Sequence, residues 1–417
     1  MAVEKIRKIR KFSRKADLFM LEAGKALHKV ILAVTWPEKC ICLWHARSKQ
    51  GLIKRAIGAV SFVMVEAVDI RSMHHVHLGV IESPEFLAPP PVVWGLDLIP
   101  QPIHDAMRPG WYSNTHVART ISVDKVFDVH VTAEGLVFNS DGKVISQTIT
   151  QHAPAEQERA LQDIASATDI PVIDTSCLLL RKRGEANYGH WMVEILPKLE
   201  LARKLTHVSG VAIPDVGGGM NTVISESLGI VDTIKSTPRF PLKANSVTFF
   251  KELIVVSGMT MHGSYMSPLV FEAIDRIRDV VDGEEPRKIF VSRAGAPRNI
   301  ANEEDMHRLV TEHGFEILHP GKLDLRQQVH KFKNASCVMG VMGAGMTNIM
   351  FAPPTARIIN LAPATMPDTF FYFIATLRGQ SYEEVRGENV NGGASWDEAF
   401  LVDFGSLNEL LRPRSKV

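Results

Sequence analysis

The strongest constraint on the fold is a series of four strand–helix units in the C-terminal half of the chain. Short apolar runs predict buried strands at 288–292, 315–318, 336–341 and 357–361, and helices at 302–314, 325–333, 344–351 and 369–377. Because strands joined through helices need right-handed crossovers, these units predict a parallel sheet. Ligands bind outside the carboxyl ends of such strands. The sequence places Arg293, His319, Gly343 with Gly345, and Ala362 with Pro363 at these ends.

The first half of the chain also alternates predicted strands and helices, which indicates a second α/β region. Strands are expected at 92–99, 176–181 and 210–213, a β-hairpin at 136–145, and helices at 155–167 and 190–205. The predicted organisation is a basic helical leader (1–60), an acceptor-side α/β domain (61–262), a nucleotide-sugar-binding domain (263–390) and a tail (391–417).

Composition excludes several classes of protein. Lys and Arg total 47 against 46 for Asp and Glu, which argues against a general nucleic-acid binder. The four cysteines form no C-x-x-C pair, so a reducing compartment is favoured over a zinc ribbon or a disulfide scaffold. The basic residues between Lys5 and Lys15 either contact an anionic membrane surface or form a solvated end. The expected location is the cytoplasm. The alternative is peripheral contact with the inner face of the membrane.

The turn Gly343–Asn348 follows a predicted strand and opens a predicted helix. Its glycines, Gly343 and Gly345, let the backbone approach a ligand closely, and the free N–H groups of a helix start attract an anion. Ala344 contributes such an N–H group, and Thr347 and Asn348 add side-chain donors. The spacing is neither G-x-G-x-x-G nor a Walker A loop. The turn therefore indicates phosphate binding without NAD or ATP hydrolysis, unless its glycines serve only packing.

Two arginines, Arg293 and Arg298, follow the first strand of this half. Guanidinium groups suit bidentate contact with phosphate oxygens, so the pair predicts a diphosphate clamp beside the Gly343 turn. Asn302 and Glu303 begin the next helix, where they either cap it or support the ligand. His319 ends the second strand and is a further supporting candidate.

His190 is the candidate base, and Glu194 is the second choice. Because they are four residues apart, they share one face of a helix that Asn187 precedes. A histidine near its ordinary pKa can take a proton at neutral pH, although a structural role remains open. The segment is not H-E-x-x-H, so a zinc protease is not supported.

No two aspartates stand at positions i and i+2, the pair with which many sugar transferases hold a divalent ion. Arginines and a helix start would then neutralise a diphosphate instead. The sequence predicts no metal ligands, no requirement for a divalent metal and no tightly bound cofactor.

Three segments resemble glycosyltransferase family 61. The run from Asn187 to Leu199 is similar to its N-x-x-H-W/F-x-x-E/D-x-L-P-x-L segment. Residues 290–304 resemble its S-R…R-x-I-x-N-E segment, and Gly340–Phe351 resembles G-x-H-G-A-G-L-T-N, with Met342 in place of the histidine. The segments stand in the family's order, and the resemblance covers about 130–385.

The resemblance implies two Rossmann-like domains facing across a cleft, of the GT-B type. It also implies a nucleotide-sugar donor, expected to be a UDP-sugar, and inversion at the anomeric carbon. The acceptor would be an oligosaccharide, a polysaccharide or a lipid-linked glycan, in a bacterial, cytoplasmic enzyme of capsule-type polysaccharide biosynthesis. A nucleotide-sugar epimerase and, because of Met342, a non-catalytic carbohydrate-binding or assembly protein stay as alternatives.

Overall fold

The chain is mixed α/β, with two large sheets and helices between their strands. The structure is a computed structural model that describes residues 65–232, 237–243, 246–393 and 395–412. Its strands, in chain order, are β1 Ala67–Val68, β2 His75–Ser83, β3 Phe86–Ala88, β4 Val92–Trp94, β5 Asn114–His116, β6 Arg119–Val131, β7 Val137–Phe138, β8 Val144–Ile145, β9 Val172–Ile173, β10 Cys177–Leu179, β11 Gly210–Asp215, β12 Arg239–Lys243, β13 Thr248–Ser257, β14 Thr260–Met261, β15 Tyr265–Met266, β16 Lys288–Val291, β17 Phe315–Leu318, β18 Cys337–Val341, β19 Arg357–Pro363, β20 Ser381–Asn389 and β21 Phe400–Leu401. The α-helices are α1 Gln101–Trp111, α2 Pro154–Ser166, α3 Lys198–Arg203, α4 Gly218–Val231, α5 Phe271–Asp279, α6 Glu303–Glu312, α7 Leu325–Phe332, α8 Phe370–Leu377 and α9 Phe404–Leu411.

The parallel sheet predicted for the C-terminal half is confirmed. Its strands run in the order β17-β16-β18-β19-β20, and every neighbouring pair is parallel. The chain therefore leaves β16 toward one side for β17 and returns to the other side for β18. Such a reversal opens a crevice at the carboxyl ends of the two strands, where ligands of open α/β sheets bind. Here that crevice lies between the ends of β16 and β18.

The segment after β18 is helical, as predicted, but it is a 3₁₀-helix that runs from Ala344 to Phe351. Its N–H groups at the first turn still lack intrahelical partners, so the basis for anion binding is retained. Gly343 precedes it with φ 167°, an extended conformation open to any residue.

Among the described residues, the first-half sheet has ten strands, some parallel and some antiparallel to their neighbours. The predicted elements at 136–145, 155–167, 176–181 and 210–213 correspond to the hairpin β7–β8, helix α2 and strands β10 and β11. The predicted helix 190–205 is divided into a π-helix, His190–Ile195, and α3. Within the π-helix, the N–H of Leu196 donates to the carbonyl of Trp191. Single π turns inside helices frequently occur at functional sites.

The predicted strand at 92–99 is wrong in its second part, because only Val92–Trp94 is a strand and Leu96–Leu98 forms a 3₁₀ turn at the left-handed Gly95. This strand, β4, pairs in parallel with β20 of the C-terminal sheet. Sequence alternation shows a strand but not its partner, which depends on distant parts of the chain.

The main hydrophobic core joins residues from both halves of the chain. Trp191 and Leu199 belong to the same buried cluster as Met346 and Phe371. The described residues belong to one compact unit. The division into facing GT-B domains and the predicted domain boundaries stay predictions. The basic leader lies outside the described residues. Among the residues that are described, no helix is both long and apolar enough to cross a bilayer.

Candidate active site

Three segments far apart in sequence meet around His190. The hydroxyl of Tyr188 donates to Oδ1 of Asn348 at 2.8 Å, and the two residues are buried. A methyl group at Gly189 would stand 2.7 Å from Oγ1 of Thr347 and 3.3 Å from the ring of Phe370. These contacts place the N-terminal end of the π-helix directly against the Gly343–Asn348 turn.

His190 is held by Glu194, as their spacing predicts. Its Nδ1 lies 2.5 Å from Oε2 of Glu194, and 19% of its side chain is exposed. When Nδ1–H donates to a carboxylate, Nε2 carries the free lone pair, which is the arrangement of a general base. Gly184 has φ 82°, and an added methyl would stand 2.7 Å from Cδ2 of His190. That glycine therefore leaves room for the imidazole.

Glu194 is the common hydrogen-bond acceptor of the cluster. It is buried, and its carboxylate also receives Nζ of Lys182 at 2.5 Å and Nδ1 of His262 at 3.2 Å. Burial alone would raise the pKa of Glu194, but hydrogen bonds from the two histidines and the charge of Lys182 lower it well below its ordinary range. A carboxylate with three donors orients its partners and cannot readily take a proton. We therefore assign it a positioning role, in place of the second-choice base.

His262 joins the site although no sequence pattern indicated it. Its Nε2 faces Oδ1 of Asp368 at 3.8 Å, and its ring stacks on Phe370 at 5.7 Å. Burial lowers its pKa, but the hydrogen bond to Glu194 and the charge of Asp368 outweigh burial, so the pKa lies above the ordinary value. The cluster thus pairs a histidine that presents a free nitrogen with a histidine that favours its charged form.

No sequence pattern indicates Lys182, His262, Asp368 or Phe370, because each is a single residue without a partner at a recognisable spacing. A lysine nearby in the chain, Lys198, is influenced by the same cluster. Burial and the charge of Lys182 lower the pKa of Lys198 to about 8. These residues can be recognised only after folding brings 182, 194, 262 and 368 together.

The ligand atoms of His190, Glu194 and His262 lie within 4.8 Å of one another, a spacing that could hold a metal ion. The Lys182 ammonium already occupies one oxygen of Glu194. A divalent ion would have to displace this cation and both imidazole hydrogen bonds. The prediction that no divalent metal is required therefore stays a prediction.

Arg293 lies at the predicted diphosphate site. Its guanidinium is in contact with Gly343, and its Nε donates to the carbonyl of Pro297 at 2.6 Å. Burial and the charge of Arg298 lower the pKa of Arg293. The two like charges at the β16–β18 crevice would be relieved by a bound anion. Gly343, Ala344 and Gly345 remain partly exposed beside them.

Arg298 is close to the same turn but has a largely structural position. It is buried with φ 63°, an unfavourable conformation for a residue other than glycine. Its Nη1 donates to the carbonyl of Met342 at 3.1 Å, its Nε to Trp396 at 2.8 Å and its Nη2 to Asp397 at 3.0 Å. Arg298 therefore fastens the 395–397 loop to the end of β18.

The remaining predicted site residues differ in whether their side chains are free to contact a ligand. Asn348 is buried and fully bonded to Tyr188, Gln328 and Gly345, so it joins segments instead of facing a ligand. Thr347 is also buried, and its hydroxyl has no hydrogen-bond partner among the described residues.

Asn187 and Asn302 both bond backbone groups. Asn187 accepts from the N–H of Gly189, and Asn302 bonds both backbone groups of Val402, leaving its own helix uncapped by its side chain. Glu303 accepts from Ser292. His319 is partly exposed beside Pro320, which packs near Gly345. Of these four, His319 alone has a side chain without a hydrogen-bond partner in the described part of the chain.

Met342, the departure from the family pattern, is fully buried in the main hydrophobic core. Its backbone supplies the carbonyl that holds Arg298. Its side chain is thus part of the core and is not exposed at the turn.

Comparison with known proteins supports the resemblance. Residues 188–359 match the family model described as Glycosyltransferase 61. A segment of 93 residues is 33% identical to beta-1,2-xylosyltransferase XAX1 of Oryza sativa subsp. japonica, covering 21% of this chain and 16% of that protein. This relative comes from rice, so the expectation of a bacterial capsule-type member gains no support. The segment 188–359, which carries His190, Arg293 and the Gly343 turn, is thus identified as glycosyltransferase family 61 sequence, as the three motifs predicted.

Proposed function

We propose that this protein is an inverting glycosyltransferase of the GT-B type that moves a sugar from a nucleotide-sugar donor to a glycan or lipid-linked acceptor. The observation that carries the proposal is the contact of Tyr188 and Gly189 with Asn348 and Thr347. This contact brings a candidate base beside a candidate diphosphate site.

The donor diphosphate would bind in the β16–β18 crevice. Arg293 and the first N–H groups of the 3₁₀-helix, at Ala344 and Gly345, would receive its oxygens. Arg298 would add positive charge while it holds the loop. This arrangement matches the general position of ligands in open parallel sheets.

In the reaction, the acceptor hydroxyl would give its proton to Nε2 of His190. Its oxygen would then form a bond to the anomeric carbon while the bond from that carbon to the diphosphate oxygen breaks. The nucleoside diphosphate leaves with the electron pair, and Arg293 and the helix N–H groups stabilise the charge that grows on it. Glu194 would keep His190 in the tautomer that accepts a proton at Nε2.

We propose that transfer needs no divalent metal, because Lys182 and the two histidines already satisfy Glu194. Activity should then be unchanged in EDTA. Loss of activity in EDTA and recovery with Mn²⁺ would overturn this part of the proposal.

The central test compares wild type with His190→Ala. Calorimetry with UDP and UDP-sugars should give similar dissociation constants for both proteins, whereas transfer to acceptors should be abolished in the variant. Full transfer by His190→Ala would remove this histidine as the base. Conversion of the donor to an isomer without an acceptor would instead indicate an epimerase.

A further inference from the structure

A surface pocket of about 600 Å³ lies outside the cluster around His190. It is formed between the edge of the first-half sheet and the hairpin β14–β15. The side chains that give it chemical character are Glu82, Arg119, Thr120, Thr260, Met261 and Tyr265. We call it the Arg119 pocket.

Arg119 is fixed in this pocket by an aromatic ring. Its guanidinium carbon lies 4.1 Å from the ring centroid of Tyr265. The ring itself is held because its hydroxyl lies 2.6 Å from Oγ of Ser83, which in turn bonds Ser267. Stacking on Tyr265 therefore positions the arginine without using its N–H groups as hydrogen-bond donors.

The polar groups of the pocket are available for a ligand. Within the described residues, the guanidinium of Arg119 and the carboxylate of Glu82 make no hydrogen bond or ion pair with other side chains. The hydroxyls of Thr120 and Thr260 are likewise without partners there. Beside them, the apolar side chains of Met261 and Val80 are about half exposed, at 55% and 53%. Apolar surface beside a few convergent polar groups is typical of a small-molecule site.

The pocket is connected to the active site through one short hairpin. β14 and β15 form its two strands, and His262 stands in the turn between them. The turn is fastened to the rest of the site because the hydroxyl of Thr369 donates to the carbonyl of Gly263 at 2.9 Å. At about 3.4 Å per strand residue, Met261 and Tyr265 are within roughly 10 Å of His262 along the chain.

We propose that the Arg119 pocket binds the acceptor glycan, on the sugar units next to the one that carries the reacting hydroxyl. This inference rests on the proposed transferase function. Arg119 and Glu82 would bond sugar hydroxyls, and Met261 would cover an apolar sugar face. One cation and one anion balance each other, which favours a neutral acceptor over a strongly charged one.

Two measurements test the pocket separately from the donor site. The first is binding of the fluorescently labelled full chain to an array of neutral and uronic-acid-containing oligosaccharides. The second is calorimetric titration with UDP. Both are made with wild type, Arg119→Ala, Glu82→Gln and, as the matched control, Arg308→Ala, which removes an exposed arginine on α6.

We expect the two pocket variants to bind their best array glycan at least tenfold more weakly, with UDP affinity within twofold of wild type. Arg308→Ala should match wild type in both. A wild type that binds no array glycan, or pocket variants that bind as wild type does, overturns the proposal. If UDP does not bind wild type, the proposed donor site is contradicted. The glycan-binding result then still decides whether the Arg119 pocket binds a glycan. If Arg119→Ala does not fold, Arg119→Lys and Glu82→Gln supply the same comparison.

Discussion

The guanidinium of Arg293 lies so close to Gly343 that a methyl group at residue 343 would collide with its Nη1. The arginine follows β16 and the glycine follows β18, so the contact spans the crevice where the strand order reverses. Since the backbone of Gly343 is extended, the glycine is needed for this close approach and not for an unusual conformation.

Gly343→Ala should therefore displace Arg293 and weaken nucleoside diphosphate binding by about tenfold, or ~1.4 kcal/mol. Calorimetric titration with UDP measures this loss. The control is Gly229→Ala, on α4, where an added methyl meets nothing within 4 Å. UDP affinity that is equal in Gly343→Ala and wild type would contradict the assigned position of the diphosphate.

Alanine substitution of the two arginines of the crevice should have different effects on stability and on UDP binding. Arg298→Ala leaves the carbonyls of Met342 and Trp396 without their donor, so we expect a loss of about 2–4 kcal/mol in the free energy of unfolding. Arg293→Ala should cost less than about 1 kcal/mol, since this side chain is partly exposed, yet lose UDP binding. Urea denaturation and calorimetry of both variants check this, and the reverse ranking of stability would refute it.

The buried pair Lys182–Glu194 should matter far more for stability than an exposed pair of the same chemistry. Lys182→Met leaves the anionic Glu194 short of a partner at 1% exposure, so a loss of about 3–5 kcal/mol is expected. Lys125→Met breaks the partly exposed pair with Glu252 and should cost about 0–1 kcal/mol. Chemical denaturation of the two variants gives the comparison. Equal losses would show that Lys182 contributes no more than a surface cation.

Stability should depend on pH through His262. Its pKa is raised in the folded protein because the hydrogen bond to Glu194 and the charge of Asp368 outweigh burial. The stabilisation is therefore complete below the ordinary value of about 6.5 and disappears as the pH rises through the folded value. The difference in free energy of unfolding between wild type and His262→Gln should be larger at pH 6 than at pH 9.

Urea denaturation at the two pH values measures this difference, with the exposed His207→Gln as control. A difference between wild type and His262→Gln that grows with pH would reverse the expected sign. It would mean that the neutral form of the imidazole is the stabilised one.

Local pattern was sufficient to predict much of the fold. The strands after 288 and the hairpin at 136–145 are where apolar runs and turn residues place them, because these signals lie within a few residues of each other. The pairing of β4 with β20 could not be predicted in this way. It joins residues almost three hundred positions apart, and no local signal specifies the partner of a short edge strand.

The sequence by itself determined the His190–Glu194 pair, the two arginines and the glycine turn, since each is a short motif whose spacing carries its chemistry. Only the tertiary structure decided which of these residues are buried and internally bonded and which face the open crevice. Folding buries Glu194 among Lys182, His190 and His262 and gives Arg298 three internal partners, whereas Arg293 stays beside the open turn. The reason is that burial and charge at a residue are set by neighbours distant in sequence, which spacing along one segment does not contain.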